Sequence, residues 1–398
     1  MFASKTEVPQ QDLDKLFNSD EFEKCHVELA DARHLPAYMY NAPEIFEREK
    51  RLLFRRDWLA VAREDMIPQP GDYMTMELAG ESIVVSRDLD GQLAAFVNSC
   101  RHRGAPVLSG SGNAKDFSCP WHGWSYDVRG RLISAHRPRQ MGNFDAKNCR
   151  MPELRIDSFG GFIFVNFDLE ADSLAAYLDV DGFREEVAFL RSEELMTVDV
   201  YSYEIEANWK MVMETLADVY HVEVVHKETF GNRKTGYTPQ TTSNVKLTKY
   251  GSRKLYSAAT SSFGGEALFG PMPWLADHPS GKLFAMSFYL RPNMAFFARC
   301  DMVQPWVALP IAPNRTKILG WTCMPKAFKD MPAFEHKVKL IAEYAREQNN
   351  EDRELILALQ RGTTSDYFPS GPLHELEALV HHRTKGYLRA MAGPGDAK

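Results

Sequence analysis

Two short stretches of the sequence decide how this chain folds and what it binds. Residues 100–106 read C-R-H-R-G-A-P, and residues 119–127 read C-P-W-H-G-W-S-Y-D. Cys100 and His102 therefore form a C-x-H pattern, and Cys119 and His122 form a C-x2-H pattern. Each stretch offers one thiolate and one imidazole, which are ligands for soft or borderline metals. We predict that the two stretches are loops that share one metal site.

Two sulfur and two nitrogen ligands suit either a zinc ion or a Rieske 2Fe-2S cluster, in which two histidines bind one of the irons. Zinc fingers place their cysteines together and their histidines together, whereas here the two types alternate. The alternation lets one iron take the sulfurs of Cys100 and Cys119 and the other take the nitrogens of His102 and His122. The pattern favours the cluster, and a zinc-stapled binding module stays the alternative.

The sequence around these loops has the short apolar runs and turn signals of an all-β domain of about a hundred residues. Predicted strands cover residues 73–78, 82–86, 93–97, 124–128, 131–134 and 162–167. Within the loops, Gly104 and Gly123 would let the backbone approach the metal. We expect Trp121 and Trp124 to shield the site from water.

The remainder of the chain mixes strands and helices, which indicates an α+β second domain. Predicted strands cover residues 198–206 and lie within 245–260 and 284–322. Predicted helices lie within 175–191, begin near 209, and cover 333–346, 351–361 and 373–391.

A second metal-binding pattern lies in this part of the chain. Residues 208–226 read N-W-K-M-V-M-E-T-L-A-D-V-Y-H-V-E-V-V-H and contain Asp218, His221 and His226. Asp218 and His221 would share one helix face, whereas His221 and His226 would diverge on a regular helix. We therefore expect the helix to break between the two histidines, where the valines are weak helix formers. Two histidines and a carboxylate form the facial triad of non-haem iron(II) oxygenases.

Both patterns resemble those of the Rieske non-haem iron oxygenases, specifically the catalytic (alpha) subunits of the aromatic-ring-hydroxylating family. The resemblance runs along nearly the whole chain. It implies an α+β fold in which an all-β Rieske 2Fe-2S domain precedes a catalytic domain of the helix-grip type. We divide the chain into residues 1–54 (arm and helix), 55–170 (Rieske domain) and 171–398 (catalytic domain).

The resemblance also implies roles for single residues. In the family, the carboxylate ligand of the mononuclear iron lies in an E-D run before a Q-x-G, which matches Asp352, with Glu351 as the alternative. The residue matching Asp218 is not a ligand in the family but a catalytic bridge to a cluster histidine of a neighbouring subunit. Thr215 stands where many members have Asn, so the role of that Asn does not transfer to this chain.

These sites imply a terminal oxygenase, an oxidoreductase of the mono- or dioxygenase type. Electrons would come ultimately from NAD(P)H through a separate reductase, with or without a ferredoxin, because the two domains leave no room for flavin and nicotinamide domains. The family also implies a homotrimer, with or without a small beta subunit. An alternative from a different functional class is an electron-transfer protein with a degenerate second domain. The intact D-x2-H-x4-H pattern argues against it.

The substrate is predicted to be aromatic, as in the catabolism of aromatic hydrocarbons, because ring side chains follow the second pattern. They are Phe230, Tyr237, Tyr256, Phe263, Phe269, Trp274, Phe288, Tyr289 and Phe296. Aromatic rings also enclose methylated ammonium groups. Oxidative N- or O-demethylation of a methylated amine or methoxy compound is therefore the alternative activity.

Composition and charge argue against several other classes. The chain has 398 residues, which favours two domains over a single core. Its net charge of −7 and the lack of a basic block argue against nucleic acid as a partner. No apolar stretch has the length of a membrane helix, and residues 1–24 lack the apolar core of a secretion signal, so we expect a cytoplasmic protein.

Overall fold

The computed structural model describes residues 20–137, 143–179, 182–218, 220–226, 245–247, 251–256, 268–275 and 285–392. The chain divides into two compact units. The β unit is Phe54–Tyr177, and the α+β unit combines the segment up to Leu53 with the chain from Leu178 onward. The finer division into residues 1–54, 55–170 and 171–398 stays our proposal.

The described residues of the β unit form ten strands that pair in antiparallel order. They are β1 Leu59–Arg63, β2 Asp72–Leu78, β3 Glu81–Arg87, β4 Leu93–Val97, β5 Ser111–Asn113, β6 Asp116–Ser118, β7 Ser125–Asp127, β8 Leu132–Ser134, β9 Glu153–Phe159 and β10 Phe162–Asn166. Seven form a sheet in the order β1-β10-β9-β4-β3-β2-β5, and β6-β7-β8 form a smaller one. One buried cluster contains Phe96 from β4, Phe117 from β6 and Tyr126 from β7, so the two sheets share a core.

The α+β unit is built on one antiparallel sheet. Its strands are β11 Leu195–Ile205, β12 Val245–Leu247, β13 Gly251–Tyr256, β14 Ala285–Leu290, β15 Met294–Arg299, β16 Val303–Ala312 and β17 Arg315–Pro325. They lie in the order β11-β17-β16-β15-β14-β13-β12. Strands β12 to β17 thus follow each other as a meander, and β11 pairs with β17 at the far edge.

The helices of the chain are α1 Asp20–His26, α2 Tyr38–Asn41, α3 Pro43–Glu49, α4 Leu174–Asp179, α5 Phe183–Val187, α6 Trp209–Ala217, α7 Val222–Val225, α8 Phe334–Gly362 and α9 Ala378–Ala392. A π-helical turn, Lys50–Phe54, extends α3. The prediction of separate helices at 333–346 and 351–361 is wrong, because α8 is continuous over 29 residues. The polar stretch between the two predictions lies inside this helix, where the side-chain Nδ2 of Asn349 donates to the carbonyl oxygen of Ala345 at 2.6 Å. Within the described ranges, none of these helices has the length and apolar character needed to cross a bilayer.

A buried carboxylate joins three helices of the α+β unit. Glu49 on α3 accepts hydrogen bonds from Lys210 Nζ at 2.6 Å, Tyr387 Oη at 2.7 Å and Trp209 Nε1 at 2.9 Å. Glu49 and Lys210 have side chains that are 0% and 1% exposed, and burial lowers the pKa of Lys210. The pair holds α6, which leads into the second metal-binding pattern, against the N-terminal and C-terminal helices.

Candidate metal centres

The two predicted cluster loops have the same backbone shape. After β4, the N–H of Cys100 donates to the carbonyl oxygen of Ala105 at 2.9 Å, and the N–H of Gly104 donates to that of Cys100 at 2.8 Å. The loop after β6 repeats both bonds around Cys119, at 2.8 and 3.0 Å. Gly104 and Gly123 have φ angles of 77° and 68°, which favour glycine because it lacks a Cβ. Each loop therefore turns tightly behind its cysteine.

The loops bring the two candidate histidines together and place both candidate cysteines in one buried cluster. Cys100 and Cys119 are each 3% exposed, whereas His102 and His122 are exposed. The Nδ1 atoms of the two histidines face each other at 3.1 Å. Two nitrogens bound to one metal at a tetrahedral angle lie about 3.3–3.4 Å apart. The histidine pair thus suits one metal atom on the outer side, with the thiols on the inner side, as a Rieske cluster requires.

Tyr126 on β7 belongs to this site, and our sequence reasoning missed it. Its hydroxyl lies 3.2 Å from Cys100 Sγ and accepts a hydrogen bond from the N–H of Arg101 at 3.0 Å. Burial, followed by the contact with Cys100, raises the pKa of Tyr126, so the phenol keeps its proton and can donate it to the sulfur. In β7, Tyr126 lies between the polar residues Ser125 and Asp127. This alternation would have predicted that the tyrosine points into the core.

The two tryptophans of the second loop do not act alike. Trp124 is 3% exposed and stacks on the His102 ring with centroids 5.1 Å apart. Trp121 stacks on His122 at the same distance, but it is 57% exposed, and Arg103 lies over it. The predicted shielding therefore applies to Trp124 and is wrong for Trp121.

The second pattern lies where one helix ends and a very short one follows. Helix α6 begins after Asn208, whose side chain accepts a hydrogen bond from the N–H of Lys210, and it ends before Asp218. Asp218 has an extended backbone, so the prediction that Asp218 and His221 share a helix face is wrong. The helix that begins at Trp209 ends earlier than expected, before His221, and the short helix α7 then ends between the two histidines, because His226 has a non-helical backbone. A helix of four residues leaves both imidazoles free to turn inward, with ring centroids 5.3 Å apart.

The structure brings His221, His226 and Asp352 together. One ligand atom from each lies within 4.8 Å of the others. Asp352 Oδ1 is 3.1 Å from His226 Nε2 and 3.4 Å from His221 Nε2. This oxygen is buried, and no described residue gives it a hydrogen bond of normal geometry. The three atoms therefore converge on a common point, as the donors of a facial triad do.

A further carboxylate holds each imidazole from its other side. His221 Nδ1 donates to Asp218 Oδ2 at 3.0 Å, and His226 Nδ1 donates to Glu351 Oε2 at 2.7 Å. A proton on Nδ1 leaves the lone pair on Nε2, where a metal would bind. Because consecutive helical residues diverge by about 100°, Glu351 and Asp352 reach opposite sides of the His226 ring. The residues present thus suit an iron ion.

The charges around the triad are strongly coupled. Burial lowers the pKa of His221, but the hydrogen bond to Asp218 and the nearby carboxylate of Asp352 outweigh it and raise this pKa to about 9. Burial raises the pKa of Asp352, but the two imidazoles outweigh it and lower this pKa. Both shifts reflect how closely the two imidazoles and the Asp352 carboxylate approach one another.

A cavity of about 130 Å³ opens onto the triad. Its described lining includes Thr215, Leu216, Asp218, Val222, Phe288, Ala295, Phe296, Phe297, Arg299, Gln304, Trp306, Gln348 and Asn349. Phe288 and Phe296, both predicted, stack at 5.0 Å. Phe297 and Trp306 were not singled out from the sequence, because the largely apolar strands on which they lie do not show which side chains face the cavity.

The other predicted aromatic residues do not line this cavity or lie outside the described part. Phe269 stacks on Phe328 at 5.4 Å in a separate core, and Tyr289 donates to the carbonyl oxygen of Pro292. Trp274 lies under the guanidinium of Arg191. Phe230, Tyr237, Phe263 and the side chain of Tyr256 are outside the described residues.

Two protein-family models match the chain. The model of the Rieske [2Fe-2S] domain matches residues 57–147, and that of the ring hydroxylating alpha subunit (catalytic domain) matches residues 192–393. The 2-aminobenzenesulfonate 2,3-dioxygenase subunit alpha of Alcaligenes sp is 34% identical over 301 residues, which are 73% of this chain and 74% of that protein. The chain belongs to the ring-hydroxylating Rieske oxygenases. As an alpha subunit of this family, it is an oxidoreductase of the mono- or dioxygenase type, with a Rieske 2Fe-2S cluster and a mononuclear iron as cofactors.

Other relatives of this Rieske oxygenase have different named activities. The carnitine monooxygenase oxygenase subunit of Acinetobacter pittii (strain PHEA-2) is 34% identical over 192 residues, which are 48% of this chain and 52% of that protein. This match thus spans about half of each chain. A solved naphthalene 1,2-dioxygenase from Rhodococcus sp. has a TM-score of 0.76 at 20% identity and covers 96% of this chain and 99% of its own. This likeness confirms the predicted fold, a Rieske domain followed by an α+β catalytic domain.

The side chain of Thr215 in this Rieske oxygenase forms its hydrogen bond within its own helix. It is 6% exposed, and its hydroxyl donates to the carbonyl oxygen of Met211 at 2.9 Å. The side chain lines the cavity without pairing with the triad in the part of the chain described. The function of the Asn found here in many family members is therefore not supplied by this threonine.

Proposed function

We propose that this chain is a terminal oxygenase component that uses dioxygen and electrons from a separate reductase to hydroxylate an aromatic substrate. Cys100, His102, Cys119 and His122 would hold the Rieske cluster, and His221, His226 and Asp352 would hold the mononuclear iron. When bound, the iron activates dioxygen at its open positions, and the cluster supplies electrons one at a time. The observation that carries the proposal is the convergence of two Nε2 atoms and one buried carboxylate oxygen.

Residues around the triad orient the side chains that would bind the iron. Asp218 and Glu351 keep the proton of each histidine on Nδ1, so both rings present a lone pair to the common point. Asp352 is fixed because it lies within the long helix α8. Held in this way, the three donors occupy one side of a metal and leave the cavity side for substrate.

The cavity supports an aromatic substrate. Phe297 and Trp306 lie on neighbouring strands that form one wall, and they offer ring faces on which a planar substrate can stack. The relative aligned over 74% of its length is named for an aromatic sulfonate. Aromatic faces also attract ammonium groups. Methylated amines are therefore the competing substrates in the test below.

We propose that Asp218 links the iron site of one subunit to the cluster of a neighbouring subunit through hydrogen bonds. Its Oδ2 accepts from His221, and the cluster histidines are exposed on the surface of the chain. In a head-to-tail ring, a cluster histidine of one subunit could donate to Asp218 of the next. A homotrimer, with or without a small beta subunit, is the assembly that we propose. The cytoplasmic location stays a prediction from the sequence.

Reconstitution tests the proposal. The protein, loaded with cluster and iron(II), would be supplied with a surrogate reductase, NAD(P)H and a panel of aromatic compounds and methylated amines. We expect ring products that carry oxygen from labelled dioxygen. Release of formaldehyde from the methylated amines without ring products would instead support demethylation.

A variant of the carboxylate ligand tests the site itself. Asp352→Ala should lose bound iron and all product while the visible spectrum of the cluster persists, because the two sites lie in different units. Asp366→Ala, which removes an exposed carboxylate after the end of α8, is the matched control and should behave like the wild type. Full turnover in Asp352→Ala would move the ligand role to Glu351 or elsewhere.

A further inference from the structure

One face of the large sheet places a cation among aromatic rings in the cavity of the triad. Along β15, Ala295, Phe297 and Arg299 occupy alternate positions and so share one face of the strand, and all three line the cavity. Across the sheet, Gln304 of β16 pairs with Phe297, and Trp306 pairs with Ala295. This face therefore combines two ring side chains, a guanidinium and an amide.

Arg299 is buried where a charge is costly. It is 3% exposed, and its guanidinium lies 5.0 Å from the centre of the Phe297 ring. Gln304, also 3% exposed, is its diagonal neighbour across the two strands, a spacing that long side chains bridge. Burial lowers the pKa of Arg299 although Tyr344 and Asp301 act in the opposite direction. An arginine keeps its charge in proteins, and its guanidinium carries several donors, so beside these neighbours it can also bind an anion in the cavity that it lines.

Arg299 and the triad line the same cavity, and residues of α8 connect the two. Arg299 interacts electrostatically with Tyr344 on α8, which lies eight positions before Asp352. That interval corresponds to about 12 Å along the helix axis. Gln348, halfway between them, lines the cavity and donates to the hydroxyl of Tyr344 at 3.4 Å. A substrate between the guanidinium and the triad would thus have an aromatic body and a polar end.

We infer that the substrate is an aromatic acid whose carboxylate or sulfonate is bound by Arg299, with Gln304 as a second donor. This inference deepens the proposed function and rests on it, since both concern the same cavity. A planar guanidinium binds either oxyanion with two parallel hydrogen bonds, and the ring then stacks on Phe297 and Trp306. The same guanidinium repels a cationic methylated amine.

Binding measurements on the holoenzyme without dioxygen test the inference apart from turnover. The probes are benzoate and benzenesulfonate as the two acids, benzamide as a neutral compound of similar shape, and benzyltrimethylammonium as a cation. We expect at least one acid to bind the wild type about tenfold or more tightly than benzamide, because hydrogen bonds to charged groups are the stronger ones. The comparison of the two acids identifies which oxyanion the site takes.

Variants of Arg299 separate the effect of its charge on binding from the effect of its packing. Arg299→Gln should weaken acid binding about tenfold or more and leave benzamide within about twofold, and Arg299→Lys should restore part of the loss. Arg315→Gln removes an exposed arginine from β17 of the same sheet and should change neither. Gln304→Glu gives a second test if Arg299→Gln does not fold. The new carboxylate would occupy Arg299 and should weaken only the acids.

Defined results would overturn the inference. These are equal binding of benzamide and the acids by the wild type, preferred binding of the cation, or an equal loss for acid and benzamide in Arg299→Gln. Selective acid binding without oxygenated product from any compound would refute the proposed function and leave the binding assignment intact. Hydroxylation of neutral rings without any preference for acids would refute only the inference.

Discussion

Asp218 and Glu351 occupy matching positions on the two histidines, so changing each to its amide separates orientation from electron delivery. Asp218→Asn and Glu351→Gln both keep an oxygen that can accept the bond from Nδ1, and both remove the negative charge. Loss of such a partner typically reduces metal affinity or activity about ten- to hundredfold. The bonds of 3.0 and 2.7 Å are of similar quality, so we expect iron(II) to bind about tenfold more weakly in each variant.

The two variants should differ once iron is saturating. Glu351 orients His226 and has no role between subunits in our proposal, so Glu351→Gln should recover most of its turnover. Asp218 is in addition the proposed bridge to the next subunit, so Asp218→Asn should stay at least about tenfold slow. Stopped-flow mixing of the reduced protein with dioxygen and substrate would follow the visible absorbance of the cluster. A chelator assay would report the iron content, and gel filtration would report the assembly.

The reasoning fails if the cluster of Asp218→Asn is oxidised at a near-normal rate. It also fails if both variants show the same deficit at saturating iron, because Asp218 would then only orient His221. An active enzyme that is strictly monomeric would refute the bridge in either case.

Three further predictions concern the cluster, the fold and the response to pH. His102→Ala or Cys119→Ser should abolish the visible iron–sulfur spectrum, and an unchanged spectrum in both would contradict the ligand assignment. Glu49→Gln leaves Lys210 charged and buried without its ion partner, so the free energy of unfolding in urea should fall by about 3–5 kcal/mol; a loss under 1 kcal/mol would show that the pair contributes little. In the metal-free protein the pKa of His221 is raised to about 9, so binding of iron(II) must displace its proton. Affinity should therefore rise as pH increases from 7 toward 9, with proton release seen in weakly buffered solution; a pH-independent affinity would refute this protonation state.

Most of the residues that we propose as ligands could be selected from the sequence because they lie in short, recognisable patterns, whereas Asp352 was selected from the resemblance to the family. Cys100 to His102 and Cys119 to His122 are local pairs, and tight turns with glycine are set by neighbouring residues. The end of α6 before Asp218 was not predictable from residue propensities. A propensity argument placed the break inside the interval that became α7.

Roles that depend on distant parts of the chain were missed or only partly seen. Glu351 was considered as a ligand and instead contacts the outer nitrogen of His226, because neighbouring residues on α8 point in different directions. Arg299 and Tyr126 gave no sequence signal beyond strand alternation. Their roles became visible only when the sheet register placed them beside Gln304 and the cluster loop.

The iron site joins helix α8 to a part of the chain that is far away in the sequence. His221 and His226 flank α7, whereas Asp352 and Glu351 come more than a hundred positions later. An ion held by these residues would close a very long loop, and such closures remove much conformational freedom from the unfolded chain. Chelation should then loosen the attachment of α8 as well as stop the chemistry, and faster hydrogen exchange along this helix would be its signature. Metal supply in the cell would in this way also govern how long the protein survives proteolysis.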